Sequence, residues 1–370
     1  MELLRVPALA FGAVAEFRRW LYDRRFLPSA RLDVPIVCVG NLIAGGTGKT
    51  PMVVEVVGRL AERGRRPGIL SRGYGKAGTG GMQSDEARLY AELCGDLPRV
   101  AMPDRVEGAR RLVEEGADVV VMDDGLQHRR LGRDLDLVLV DATRPWGLYR
   151  GPRAFLPRGL MRESPKALRR AGAIVLTRCD QVDAESLVEL ELELAAWAPG
   201  TPRLLTRHAP VGLRRLGAEV SEGEDAGLAL EGTDLAQLED RGVVAISAIG
   251  NPAAFLRSLT GLGARVVGER RFGDHHEYTA ADLAGLAAGA ATAGESSGGP
   301  APLVVTTAKD AVKLAPLVGP GGPHADLELH VLDIALEVTR GSDLLDALLD
   351  SLPPGAAVRE RDALHSGMAC

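Results

Sequence analysis

The chain has 370 residues, enough for two domains, because a single hydrophobic core stops growing at about 250–300 residues. Hydrophobic residues make up 46% and charged residues 25%, an ordinary globular composition, and a net charge of −6 gives no signal for polyanion binding, so nucleic acid is not an expected partner. Cys38, Cys94, Cys179 and Cys370 are scattered, with no C-x-x-C pair and no Cys/His cluster, so neither a disulfide framework nor a zinc site is indicated and the chain reads as reduced and cytosolic.

The first predicted element is an N-terminal helix. Residues 6–15 are uncharged, and Ala13-Val14-Ala15 imitates a signal-peptidase site, but only Arg5 stands against Glu2 and the apolar run is short, so a signal peptide is rejected. A spanning helix needs about 20 apolar residues and is also rejected. Leu3, Ala10, Val14, Phe17 and Leu21 share one helical face, while Arg5, Glu16, Arg19 and Asp23 occupy the other. Arg18, Arg19, Arg24 and Arg25, interleaved with Phe11, Phe17, Trp20 and Tyr22, suit a helix lying in the headgroups of an anionic leaflet. A helix packed on its own domain would give the same amphipathic pattern.

Next comes a strand at residues 35–39, a glycine-rich turn, and a helix over residues 52–60. The connecting run Gly45-Gly46-Thr47-Gly48-Lys49-Thr50-Pro51 reads as a phosphate-cradling loop, so the chain handles a nucleoside triphosphate. The glycines let backbone N–H groups turn inward, Lys49 reaches the outer phosphates, and the Thr50 hydroxyl ligates Mg²⁺. The first glycine of the usual G-x-x-x-x-G-K-S/T pattern is Ile43 here, so the loop is entered by a different turn.

Further apolar runs at residues 68–71, 119–122, 137–140 and 174–177, with helical segments between them, predict a mostly parallel α/β sheet with ligands at the strands' carboxyl ends. After the second run, Ser84-Asp85-Glu86 follows a glycine-rich segment with too few apolar residues for core, and Asp85 is a candidate base for an acceptor hydroxyl. The third run delivers Asp123 and Asp124 to a strand end, where a carboxylate binds Mg²⁺ in phosphate-loop enzymes. Adjacent strand residues alternate faces, so one acid is assigned to the metal and the other to the loop Leu126-Gln127-His128. Thr177-Arg178-Cys179-Asp180 resembles in outline the base-reading element of GTPases, with arginine in place of lysine.

Residues 211–240 are acidic and glycine-spaced and read as linker. A second α/β unit begins with a strand at residues 243–249, a helix capped by Asn251 and opened by Pro252, a helix start at Thr279, and a strand at residues 303–307. Asp274, His275, His276 and Glu277 form the densest titratable cluster, read as acid/base or orienting because adjacent histidines ligate one ion poorly.

Taken together the motifs resemble the tetraacyldisaccharide 4′-kinase family of lipid A biosynthesis. The matching segments are residues 39–42 through 45–51, Leu70-Ser71-Arg72-Gly73-Tyr74-Gly75, Asp123-Asp124-Gly125-Leu126-Gln127-His128 with Arg133-Asp134-Leu135, Gly250-Asn251-Pro252, and Asp274-His275-His276. The resemblance implies two α/β/α sandwich domains, the N-terminal one a phosphate-loop ATP-binding domain and the C-terminal one smaller. The expected layout is a membrane-docking helix at 1–28, kinase domain at 29–210, linker at 211–241, second domain at 242–350 and tail at 351–370.

The implied reaction moves the γ-phosphate of ATP, with Mg²⁺, to the 4′-hydroxyl of an acylated glucosamine disaccharide 1-phosphate at the cytoplasmic face of the inner membrane. No obligatory protein partner is implied. By the same resemblance Asp85 is the catalytic base, and His275, hydrogen-bonded to it, sets its orientation. Arg72, Glu86, Gln127, His128, Arg162 and His276 are candidates for contacting or orienting the acceptor. The chain departs from the family pattern at Ser84 for Gly, Ala87 for Pro, and Ala308 for Glu in Thr307-Ala308-Lys309-Asp310. Two other readings compete: a MinD-like NTPase switch, which would need a second lysine near the loop start where Ile43 and Ala44 stand, and a kinase of a soluble sugar or metabolite, against which the N-terminal helix argues.

Overall fold

The computed structural model describes residues 4–73, 85–216, 235–274, 276–286 and 300–355, the side chains of residues 85, 86, 152 and 153 excepted. The chain forms two units, one from the described residues of Met1–His208 and Leu336–Cys370, the other from those of Ala209–Ala335. In the first, β1 (Ile36–Asn41), β2 (Pro67–Ser71), β3 (Arg99–Ala101), β4 (Val119–Asp123), β5 (Leu135–Asp141), β6 (Ala173–Thr177) and the start of β7 (Arg203–Arg215) lie in the order β3-β2-β4-β1-β5-β6-β7. β1 sits between β4 and β5, parallel to both, with Val39 beside Asp123.

The central strands β1 and β4 are short, contain repeated valines and are buried on both faces, as a covered parallel sheet requires. Alternate residues of β1 therefore enter different cores. Val37 and Val39 pack with α2 (Lys49–Glu62) through Met52, Val53, Val56 and Leu60, and with Tyr90 of α3 (Asp85–Cys94). Ile36 and Cys38 instead meet α4 (Arg105–Glu114) through Val106, Ala109 and Leu112. A third cluster buries Val138 and Val140 of β5 under Leu190 and Leu194 of α5 (Ala184–Trp197). Side-chain caps start two of these helices: Asp104 accepts from the N–H groups of Val106 and Glu107, and Asp183 from that of Ser186.

Of the two arrangements that its amphipathic pattern allows, the N-terminal helix, α1 (Arg5–Asp23), takes the one with its large apolar residues outward. Ala8, Gly12 and Tyr22 are buried, Glu16 meets Ser164, and Arg129 bonds Asp23 at 2.6 Å. Val6, Val14 and Phe17, at 73%, 66% and 61% exposure, face outward. Small residues allow close approach, and the polar residues find partners on the unit's surface, which leaves the apolar residues over.

The second unit holds β8 (Gly242–Ser247), β9 (Arg265–Arg271), β10 (Leu303–Thr307) and the start of β11 (Leu329–Arg340) in the order β11-β10-β8-β9, all parallel. α6 (Pro252–Gly261) covers one face through Phe255 and Leu259; α7 (Ala280–Leu283) and α8 (Ala308–Val318) cover the other through Leu283, Leu314 and Val318. Asn251 caps α6 and Thr279 opens α7 in a reciprocal capping box with Asp282.

Two segments differ from expectation. The region read as linker is partly regular structure: β7 runs to Arg215, and Leu213 and Leu238 are buried in the second unit's core beside Val243, while residues 217–234 lie outside the described residues. The last helix, α9 (Ser342–Asp350), was expected in the second domain and packs in the first unit. Leu345 and Leu349 join the core under α2, and Arg59 and Arg63 of α2 bond Asp346 at 2.9 and 2.7 Å.

Candidate active site

The phosphate loop leaves β1 at Asn41 and ends where α2 begins at Lys49. Gly45 and Gly48 have φ of 110° and 89°, left-handed values that residues with a Cβ rarely adopt, which explains two of the glycines. Ile43, in place of the first glycine, is buried and forms an isolated antiparallel bridge to Met161. Around it Ala44 N–H donates to Leu160 O and Arg162 N–H to Leu42 O, both at 2.7 Å. The entry turn is therefore clamped by residues 160–162 and needs no glycine there.

That clamp delivers Arg162 to the site. Its guanidinium bonds both oxygens of Asp124, at 2.9 and 2.6 Å, and also reaches Asn41 Oδ1. Lys49 Nζ stands 3.5 Å from Asp124 Oδ1. Burial alone would raise the Asp124 carboxyl, but Lys49 and Arg162 overcome it and hold the group well below the usual carboxylate range. Asp123, 4% exposed, behaves oppositely: burial, reinforced by the neighbouring Asp124 charge, pushes its carboxyl up against the pull of Lys49. Tyr90 Oη donates to Asp123 Oδ2 at 2.9 Å, and the buried Oδ1 has no hydrogen bond.

The division of labour between the two acids thus departs from expectation. Neither holds the loop Leu126-Gln127-His128. Arg133 does, donating to the carbonyls of Gly125, Leu126 and His128 at 3.2–3.4 Å, while Gln127 Nε2 donates to Asn41 O at 2.9 Å. His128 is half-buried, and burial together with Arg105 lowers its pKa to about 4, so it is neutral near pH 7.

Thr50 and Pro51 lie in the first turn of α2, and Thr47 is buried, its Oγ1 accepting from Asn41 Nδ2 at 2.7 Å. Arg72 is exposed just beyond β2. Asp85 and Glu86 open α3, but their side chains, like His275, lie outside the described residues. His276 belongs to the second unit, where it stacks on Phe272 with centroids 4.5 Å apart and its Nε2 lies 3.1 Å from Asp282 Oδ2. Arg178, set against the base-reading element, turns to the buried Asp141 at 2.5 Å. Ala308 begins α8, and the retained Asp310 bonds Ala248 N–H at 3.1 Å and the Thr307 hydroxyl at 2.8 Å.

Three contributors escaped the sequence reading. Asn41 joins the loop to Arg162 and Gln127; its signal was a polar residue closing a buried strand. Tyr90 and His208 carried no signal. His208 packs against Gly48 so closely that a Cβ there would run into its Nε2.

A phosphate loop, a strand-end acid pair and an arginine clamp are compatible with phosphoryl transfer and do not specify an acceptor. The model of the tetraacyldisaccharide-1-P 4′-kinase family matches residues 1–353 of this chain. The chain belongs to that family. It is 43% identical over 354 residues to a tetraacyldisaccharide 4′-kinase of Anaeromyxobacter dehalogenans (strain 2CP-C), covering 92% of this chain and 87% of that one. It is 36% identical to the protein of the same name from Syntrophus aciditrophicus (strain SB), over 85% and 84% of the two chains. Among solved structures it is similar to LpxK from Aquifex aeolicus, described as an "apo" form in complex with ATP, at 26% identity and a TM-score of 0.65, covering 94% and 98%. The protein is accordingly an ATP-dependent kinase of the lipid A precursor's 4′-hydroxyl. The match across both units supports two α/β sandwiches in one kinase and sets aside the switch and soluble-metabolite readings.

Proposed function

We propose that this 4′-kinase works with Mg²⁺ at the surface of the inner membrane, with Asp123 toward the cation, Lys49 and Arg162 toward phosphate, and Asp85 and His275 handling the proton. The observation that carries the reading is the convergence of Lys49, Asp123, Asp124 and Arg162 at the carboxyl ends of β1 and β4. The donor set suits a hard cation. A buried carboxylate oxygen of Asp123 stands without a hydrogen bond, and Thr50 follows Lys49 on α2. Mg²⁺ held by Asp123, Thr50 and phosphate oxygens would neutralise charge on the transferring group.

Lys49, now beside Asp124, would exchange that partner for the outer phosphates of ATP. Arg162, bonded to both Asp124 and Asn41, keeps a planar donor at the loop entrance for a phosphate or sugar oxygen. As the acceptor's 4′-oxygen attacks the γ-phosphorus, the bond to the β,γ-bridging oxygen breaks, ADP leaves, and the hydroxyl proton passes to Asp85. Arg72, Glu86, Gln127, His128 and His276 remain candidates for orienting the acceptor.

The outward apolar residues of α1 support docking to a lipid surface, with Arg18, Arg24 and Arg25 suited to anionic headgroups. No helix among the described residues is long and apolar enough to cross a membrane.

The test is transfer of labelled γ-phosphate from Mg²⁺-ATP to the disaccharide 1-phosphate in mixed micelles, comparing wild type, Lys49→Ala and Asp85→Ala. Wild type should yield labelled bisphosphate and Lys49→Ala none. Asp85→Ala should lower kcat by about two to four orders of magnitude with ATP affinity nearly intact. A collapse of ATP affinity in Asp85→Ala would make Asp85 a nucleotide or metal ligand instead of the base.

A further inference from the structure

Tyr90 is 1% exposed, on the face of α3 that packs into the core with Val39 and Val121, and its hydroxyl donates to Asp123 Oδ2 at 2.9 Å. A carboxylate has two oxygens, and this phenol takes one. The other, Oδ1, is buried and has no hydrogen bond, although buried polar atoms are almost always partnered. The positive groups around Asp123 do not fill that position. Lys49 lies 3.5 Å from Asp124 Oδ1, and the Arg105 guanidinium bonds the Asp123 main-chain carbonyl at 3.4 Å. Asp123 is thus held in one orientation with one oxygen in use and one in reserve.

That matters for which cation fits. Mg²⁺ demands near-ideal octahedral geometry and takes few carboxylate oxygens, keeping waters and phosphate oxygens as its other ligands. Ca²⁺ accepts six to eight oxygens in flexible geometry and readily takes both oxygens of one carboxylate. We propose that Tyr90 is a positioning residue that reserves Asp123 Oδ1 for the cation and, by occupying Oδ2, enforces monodentate binding and so favours Mg²⁺ over Ca²⁺. The proposal rests on the reading of Asp123 as the cation ligand. The same bond ties α3, which begins at Asp85, to the strand that carries Asp123.

The experiment measures the affinity of the full-length protein for a non-hydrolysable ATP analogue with Mg²⁺, with Ca²⁺ and with neither, for wild type, Tyr90→Phe and Asp123→Asn. Thermal melting without cation serves as the control. Tyr90→Phe removes one oxygen and keeps the ring in the core. It should shift the Mg²⁺-over-Ca²⁺ preference by roughly tenfold toward Ca²⁺, the scale of one hydrogen bond to a charged group. Asp123→Asn should remove most of the cation dependence. If Asp123→Asn leaves that dependence unchanged, the cation reading falls and the Tyr90 proposal with it. If Asp123→Asn removes the dependence while Tyr90→Phe leaves the Mg²⁺/Ca²⁺ ratio unchanged, or weakens both cations equally alongside a lower melting temperature, the cation reading stands and Tyr90 is only structural.

Discussion

His208 shows how much one side chain off the motif can decide. Its ring presses on Gly48 at the end of the phosphate loop, and burial, with Arg178 nearby, lowers its pKa to about 3. An unfolded histidine takes its proton near pH 6.5. Between those values the unfolded chain binds a proton that the folded one refuses, so this contribution to stability is complete above about pH 6.5 and is lost as pH falls toward 3. At about 1.36 kcal/mol per pH unit, roughly 2 kcal/mol should be lost by about pH 5. Chemical denaturation near pH 7.5 and pH 5 should show wild type losing about 2 kcal/mol more than His208→Gln; equal losses would mean that the folded ring accepts a proton freely. Lys49, Thr50, Asp123 and Asp124 are legible in the sequence as candidates because their types recur at fixed positions around a phosphate loop, and the structure brings Lys49 beside the two acids. The partners of the two acids are not legible there, because Arg162 reaches Asp124 across 38 residues and Tyr90 reaches Asp123 across 33.

At the scale of elements, the amphipathic pattern of α1 is present in the sequence, but which face meets the protein is set by its packing. Its docking depends on Gly12, where a Cβ would stand 3.0 Å from the Phe155 ring. Gly12→Val should therefore overpack the contact at a cost of roughly 1–3 kcal/mol and loosen the helix without touching the phosphate loop. The check is limited trypsin digestion: cleavage after Arg18, Arg19, Arg24 or Arg25 should accelerate in the variant while ATP affinity stays unchanged. Unchanged cleavage would mean that Phe155 moves aside and the helix stays seated. The segment at residues 160–162 carries a similar lesson. Nothing in its composition announces that it clamps the loop entrance, yet the bridge from Ile43 to Met161 accounts for the absent first glycine and for the placement of Arg162.

For the whole molecule, the acceptor is a lipid precursor while the chain carries a phosphate-loop site, so delivery of the acceptor becomes a property of the entire protein. With Val6, Val14 and Phe17 turned outward, removing residues 1–25 should reduce turnover on bilayer-held acceptor more than on detergent-dispersed acceptor, measured side by side. Equal losses in both settings would point to a structural helix. The sequence by itself determined the α/β class, the phosphate loop, the strand-end acids and the family resemblance, because glycine positions and strand–helix periodicity are encoded within a dozen neighbouring residues. Only the tertiary structure decided that α1 faces its apolar side outward, that α9 belongs with the first unit, that Asp124 is neutralised by Arg162 and Lys49, and that Asp123 keeps one oxygen in reserve. Each of these depends on which buried groups meet across long stretches of chain, and packing, not local pattern, settles such meetings.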